Sequence, residues 1–269
     1  MGRIIAVANQ KGGVGKTTTA VNVAACMAVA ERKTLLVDID PQANATSGVG
    51  IEKGDVQRGI YEVLIGEADI HNSITSAPDL PFLHVLPAHQ RLIGAEVELV
   101  NVMARETKLK RALEGCRDEY EHIIIDCPPS LGLLTVNTLT AADTVIVPIQ
   151  CEYYALEGLG QLLNTIRLVQ RNLNQELRIE GILLTMYDGR LNLARQVAEE
   201  ARRYFGDRVY QSMIPRNVRL GEAPSFGQPI ILYDILSSGA QAYIALTKEI
   251  MEETAPSELA PLVKQHQES

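Results

Sequence analysis

The chain has 269 residues, 46% of them hydrophobic, which is enough for one sizeable α/β core and short of what a two-domain protein needs. Twenty-five Lys and Arg against 33 Asp and Glu give a formal net charge of −8, which excludes a globally basic nucleic-acid binder and confines any DNA contact to a local patch. With no Trp and three Phe, stacking of nucleobases on aromatic rings is disfavoured as a main mode of contact.

The first predicted element is a buried strand over the apolar run Ile4 to Ala8. It leads into NQKGGVGKTTT, Asn9 to Thr19, and then into an apolar helix from Ala20. A strand, a Gly-rich turn and a helix N-terminus in that order make an anion site, because backbone N–H groups converge there and the helix dipole favours negative charge. Gly12, Gly13 and Gly15 let the backbone approach a phosphate closely. Lys16 is placed to reach β- and γ-phosphates, and the Thr17 hydroxyl to ligate magnesium. The expected nucleotide contacts are Lys11, Gly12, Gly13, Val14, Gly15, Lys16, Thr17 and Thr18.

A second buried strand, Thr34 to Val37, runs into Asp38-Ile39-Asp40-Pro41. Asp38 and Asp40 alternate, so both carboxylates point to one side of a strand end, where ligands of open parallel sheets lie. Further along, Ile60–Leu64 reads as a short helix, Phe82–Leu86 as a strand, and Glu96–Glu119 as a helix burying Leu109, Ala112, Leu113 and Cys116. His71, His84 and His89 have no metal spacing, and Cys26, Cys116, Cys127 and Cys151 are scattered without a CxxC pair, which reads as reduced, buried thiols.

Glu121 to Asp126 is an apolar strand ending in a carboxylate, placed to hold magnesium together with Thr17. Pro128-Pro129 stiffens the turn after it, a fit for a γ-phosphate sensor. Then come a strand over Asp143–Pro148, an amphipathic helix over Ala155–Arg171 and a strand over Leu177–Met186. A helix over Asn192–Phe205 follows, with Leu193, Val197, Ala201 and Tyr204 inward. After the IPRNVRLGEAPS run comes a last helix over Ser238–Glu253. Strands alternating with helices predict an α/β fold: a doubly wound, mainly parallel sheet with helices on both faces. Residues 1–254 form one domain, and 255–269 form a polar, Pro-broken tail. The start of the chain leaves no room for a signal peptide, and no apolar run has membrane-span length, so the expected compartment is the cytoplasm.

K-G-G-V-G-K-T, with Lys11 where an ordinary P-loop has no lysine requirement, resembles the deviant Walker A motif of the ParA/MinD group of ATPases. DIDPQANATSGVG resembles the family's switch I, and IPRNVRLGEAPS a stretch typical of ParA/Soj partition ATPases. The resemblance spans Ile4 to Met251 and implies a P-loop fold, ATP and Mg²⁺ as cofactors, and a dimer clasping two ATP molecules, with Lys11 crossing to the partner's phosphates. It implies that Asp40 orients the attacking water, that Asp38 supports the magnesium shell, and that Pro215 and Asn217 contact adenine. It implies non-specific binding of double-stranded nucleoid DNA through basic residues of the C-terminal third, and hydrolysis stimulated by a ParB-like centromere-binding partner. The candidates for DNA are Arg190 and Arg219, which have no obvious acidic neighbour at helical spacing, then Arg216, Arg195 and Arg202; the last two have Glu199 within reach on the same helix. A membrane-bound MinD-type ATPase is the alternative, disfavoured because Ser257–Ser269 is a poor amphipathic anchor. A nitrogenase-iron-protein-like reductase is disfavoured because Cys127 and Cys151 lack Gly-rich surroundings, and an ATPase positioning another cargo stays open.

Overall fold

The computed structural model describes residues 1–152 and 159–252; the first residues of the helix expected from Ala155 and the tail at 255–269 lie outside them. The strands are β1 (Arg3–Val7), β2 (Thr34–Asp38), β3 (Thr75–Ser76), β4 (Leu83–Leu86), β5 (His122–Asp126), β6 (Thr144–Gln150) and β7 (Arg178–Thr185). They form one sheet in the order β3-β4-β2-β5-β1-β6-β7, parallel throughout except for the antiparallel β3–β4 pair. Each parallel connection carries helical structure, because two parallel strands cannot be joined by a tight turn. The helices are α1 (Lys16–Val29), α2 (Asn44–Ser47), α3 (Ile60–Ile65), α4 (Leu92–Glu98), α5 (Lys108–Glu114), α6 (Leu133–Ala141), α7 (Leu159–Asn172), α8 (Asn192–Phe205), α9 (Val218–Glu222), α10 (Ile230–Tyr233) and α11 (Ser238–Glu252).

Strand alternation divides the interior in two. Ile4, Ala6, Val37, Ile123 and Ile125 face a core closed by α3 to α8. Ile5, Val7, Leu36 and Ile124 face a second core closed by α1, α10 and α11. Successive side chains point to opposite faces, and both faces are covered, which is why the central strands read as unbroken apolar runs.

Two helix expectations are corrected. The single helix over Glu96–Glu119 is instead α4, two 3₁₀ turns and α5, broken where Ala104 takes a left-handed conformation at φ 53°. The break is sustained by Asn137 of α6, whose amide oxygen accepts from the Leu109 N–H at 3.1 Å while its nitrogen donates to the Arg105 carbonyl at 2.9 Å. That partner satisfies backbone groups a continuous helix would have paired internally. Leu109, Leu113 and Cys116 are nevertheless buried as expected. In α8 the buried stripe is Ala194, Val197, Ala198 and Ala201, whereas Leu193 and Tyr204 point outward. Val197 and Ala201 are common to the expected and the observed face; the buried side is turned toward Ala194 and Ala198 instead of Leu193 and Tyr204.

Candidate nucleotide site

The site forms where β1, β2 and β5 end together. Val7 is the register partner of Asp126, and Asp38 is the register partner of Asp126 on the other side. Beyond β1 the chain is tied to its neighbours by side chains as well as by the backbone. The Asn9 amide nitrogen donates to the Pro148 carbonyl at 2.7 Å, and its oxygen accepts from the Lys11 N–H at 3.0 Å. The Thr185 hydroxyl donates to the Val14 carbonyl at 2.8 Å, fixing the loop to the end of β7. Gly13 and Gly15 have φ of 74° and 89°, a region that side chains other than glycine's rarely adopt, so the turn into α1 requires them. Gly15 is the residue preceding α1, whose first residues are Lys16, Thr17 and Thr18, so the unpaired N–H groups of the helix start lie around the loop.

Lys16 is buried, and its ammonium donates to the Lys11 carbonyl at 3.0 Å. Burial lowers its pKa, and the nearby Asp126 carboxylate, foremost among its neighbours, opposes that shift. Asp126 is fully buried, and neither of its carboxylate oxygens has a hydrogen-bond partner among the described residues. Burial first, and then the charge of Asp38, hold its carboxyl well above the usual range; Thr17 is close enough to oppose this without a hydrogen bond of ordinary geometry. Buried polar groups are almost always paired, so the chemistry of this carboxylate suits a cation. The donor set of one orphaned carboxylate and a helix-start threonine suits Mg²⁺, which takes one or two protein oxygens and completes its octahedron with water and phosphate. No group of three or more His, Cys, Asp or Glu side chains among the described residues could hold a metal on its own.

Asp38 is engaged differently. Its Oδ2 accepts from the Thr46 N–H and hydroxyl, both at 2.8 Å, and its Oδ1 from the Asp40 N–H at 3.1 Å. Burial nonetheless raises its pKa above the usual range. The carboxylate anchors the loop after β2 with three donors, so any contact with magnesium would be indirect. Asp40 is buried beside it, with Oδ1 accepting from the Gln42 N–H at 2.9 Å. Thr46 reaches further: its hydroxyl oxygen accepts from the Ala88 N–H at 3.0 Å, which joins this loop to the end of β4.

On the other flank, Lys11 Nζ lies 4.0 Å from Glu152 Oε2, and an Arg216 guanidinium nitrogen 3.8 Å from Oε1 of the same carboxylate. A cavity of about 200 Å³ beside the loop is lined by Gly15, Thr18, Pro215, Asn217 and Tyr243, among others. Pro215 and Asn217 thus line a cavity together with the P-loop residues Gly15 and Thr18. The Asn217 amide caps α9, accepting from the Leu220 N–H at 3.3 Å and donating to the Ser238 hydroxyl at 2.8 Å. Asn9, Thr46, Thr185 and Glu152 are site residues that sequence reasoning missed. Of these, Asn9 and Thr46 lie inside the two motifs and were open to notice as short polar residues able to bind backbone.

The basic residues are arranged otherwise than expected. Arg190 pairs with Asp188 at 2.7 Å, and Arg219 with Glu222 at 2.9 Å and Asp234 at 3.5 Å, so both have acidic partners. Asp188 is two residues away in a loop, Glu222 is at helical spacing i+3, and Asp234 comes from a separate element. Arg195 bonds to the Asn192 side chain and Arg202 lies 3.9 Å from the Met213 sulfur; among the described residues neither pairs with Glu199. All four cysteines are free and buried, and burial pushes Cys127 up to about 12 and Cys151 up to about 11.

A mostly parallel sheet whose first strand turns through glycines onto a helix start, with a buried lysine and strand-end carboxylates around the turn, defines a P-loop nucleoside triphosphatase fold. A family model described as an AAA domain matches residues 2–179. The chain is 61% identical over 250 residues to the sporulation initiation inhibitor protein Soj of Bacillus subtilis, covering 93% of this chain and 98% of that one. It is 57% identical over 256 residues to the chromosome partitioning protein ParA of Myxococcus xanthus, covering 95% and 90%. Among solved structures it resembles cobyrinic acid a,c-diamide synthase from Mycobacterium smegmatis with bound ATP analog and magnesium, with a TM-score of 0.83, 38% identity, and 94% and 96% of the two chains covered. The chain belongs to the ParA/Soj family of chromosome-partitioning ATPases.

Proposed function

We propose that this protein binds ATP with Mg²⁺, dimerises around it, binds duplex DNA non-specifically as the dimer, and leaves DNA when the ATP is hydrolysed. The observation that carries the reading is the Asp126 carboxylate, buried and unpartnered within the electrostatic reach of Lys16 and next to Thr17. Asp126 and Thr17 would hold Mg²⁺, with Asp38 behind them. The ion would offset negative charge on the β- and γ-phosphate oxygens. The N–H groups of Gly12 to Thr18 would cradle the phosphates, and Lys16 would exchange the Lys11 carbonyl for them. Lys11 would leave Glu152 and reach the partner's phosphates, so ATP contacts both subunits and favours the dimer. Asp40, with one oxygen held by Gln42, would orient water for in-line attack with the other.

Arg190, Arg195, Arg202, Arg216 and Arg219 are the proposed phosphate contacts on DNA. Doubling them in a dimer would steepen the salt dependence of binding and overcome the acidic net charge. A ParB-like partner would stimulate hydrolysis on the nucleoid, within the cytoplasm and without a membrane; no helix among the described residues is long and apolar enough to cross one. The test is size-exclusion chromatography with light scattering, with and without ATP and Mg²⁺. Dimer is expected for the wild type with ATP, and monomer for Lys16→Ala and Lys11→Ala under all conditions. A single mass for the wild type whatever is added would refute the proposal.

A further inference from the structure

Away from the P-loop, a groove of about 560 Å³ opens between α7, the first residues of β7 and the C-terminal end of α8. Arg167 comes to it from α7, Arg178 from β7 and Arg208 from the 3₁₀ turn Gly206–Arg208 that follows α8, over an apolar floor that includes Leu177. Tyr204 and Phe205 form one wall, their rings 4.7 Å apart at 67°, and Tyr204 is 70% exposed. On a protein of net charge −8, the lining of this concavity carries, among the described residues, three guanidiniums and no carboxylate. Their charges are poorly answered from within. Arg178 pairs with Glu176 at 3.5 Å on an exposed rim. Arg167 has only the Asn164 amide oxygen at 3.3 Å, and Arg208 has no carboxylate within ion-pair distance among the described residues. The sharp end of α8, where Gly206 takes φ 58°, swings Arg208 round to this side.

The geometry points to a second ligand site, for a dinucleotide unit that offers an unpaired base and two phosphates. Planar guanidiniums bind phosphate oxygens in pairs, and a tyrosine ring that meets its neighbour edge-on keeps a face open for a base to stack on. The volume falls in the range of small-molecule pockets rather than of flat protein interfaces. Such a ligand comes either as a free dinucleotide or as an unpaired stretch of a nucleic acid strand, and both carry the same base and phosphate groups.

The experiment uses the full chain carrying Lys16→Ala, which removes the P-loop as a competing site, and titrates it with fluorescent cyclic di-GMP and, separately, with labelled single-stranded oligo(dA). Saturable binding of the first probe, weakened about tenfold by Arg208→Glu and also by Tyr204→Ala, supports the site with a free dinucleotide as its ligand. The same pattern with the oligonucleotide alone supports it with a strand as its source. Because these side chains are exposed, both variants are expected to fold, which circular dichroism and unchanged ATPase activity in a Lys16 background check. Binding of neither probe overturns the proposal, and so does binding that Arg208→Glu and Tyr204→Ala leave unchanged. These outcomes are independent of ATP-driven dimerisation.

Discussion

Asp38 and Asp126 are direct register partners at the ends of two adjacent parallel strands, both fully buried, yet only Asp38 has its oxygens satisfied by the protein. Two carboxylates so placed repel each other in a medium that screens poorly. Replacing Asp126 by Asn would relieve that repulsion in the free protein while removing the proposed magnesium ligand. The nucleotide-free D126N variant is expected to melt about 2–4 °C higher than wild type, as about 1 kcal/mol gives in a chain of this size. It should also lose magnesium-dependent turnover. Calorimetry alongside an ATPase assay checks both, and a lower melting temperature would count against the repulsion.

Asp40 is expected to act only on the chemical step. Asp40→Ala should retain ATP binding and the ATP-dependent dimer while hydrolysis falls by about 10²–10⁴-fold, the range of a positioned general base. A single-turnover assay reads this directly. Hydrolysis at the wild-type rate would remove Asp40 from the mechanism.

Glu152 holds Lys11 and Arg216 within one subunit, and both must be released for Lys11 to cross an interface. These are partly exposed pairs, so their hold is modest, about 0.2–1 kcal/mol each. Glu152→Gln is expected to lower the ATP concentration for half-maximal dimer formation by roughly two- to fivefold. A higher requirement would mean that Glu152 serves the dimer instead of restraining it.

The buried Glu62 accepts from the Gly59 N–H at 2.9 Å and meets His89 at 3.0 Å and Arg91 at 3.1 Å. Burial alone would raise its pKa, but the hydrogen bonds from His89 and Gly59 prevail and hold it below the usual carboxylate value. A depressed folded-state pKa stabilises the protein above the unfolded-state value and ceases to do so as pH falls through the folded one. Glu62→Ala should cost about 2–3 kcal/mol at neutral pH. That deficit should shrink on acidification below about pH 4. Urea unfolding at several pH values tests the sign.

Asn217 has two assignments that one variant separates. As a helix cap its loss in Asn217→Ala should cost about 1 kcal/mol of stability. If the amide also turns to adenine, discrimination between ATP and GTP should fall as well. Unaltered discrimination leaves it a cap alone.

Much of the fold and the core of the site were legible because they are local. Ile4–Ala8, Thr34–Val37 and Glu121–Asp126 read as strands since both faces are buried, and the P-loop carries its chemistry in consecutive residues. What was not legible depends on distant partners. The break before α5 requires Asn137 from another helix, and Arg219 meets Asp234 only in the folded chain. Glu152 reaches Lys11 from the end of β6, a distance in sequence that no spacing rule covers. In α8 the buried face shares Val197 and Ala201 with the expected one, and helical spacing alone does not say whether Leu193 and Tyr204 or Ala194 and Ala198 complete it.

The Thr46 hydroxyl owns a single hydrogen, directed to Asp38, while its lone pair receives the Ala88 amide. The end of β2 is thereby tied through one hydroxyl to the residue beside His89 on the neighbouring strand's exit. A serine there would keep both bonds, whereas a valine of equal shape would leave the Ala88 amide and one Asp38 oxygen each short of a partner.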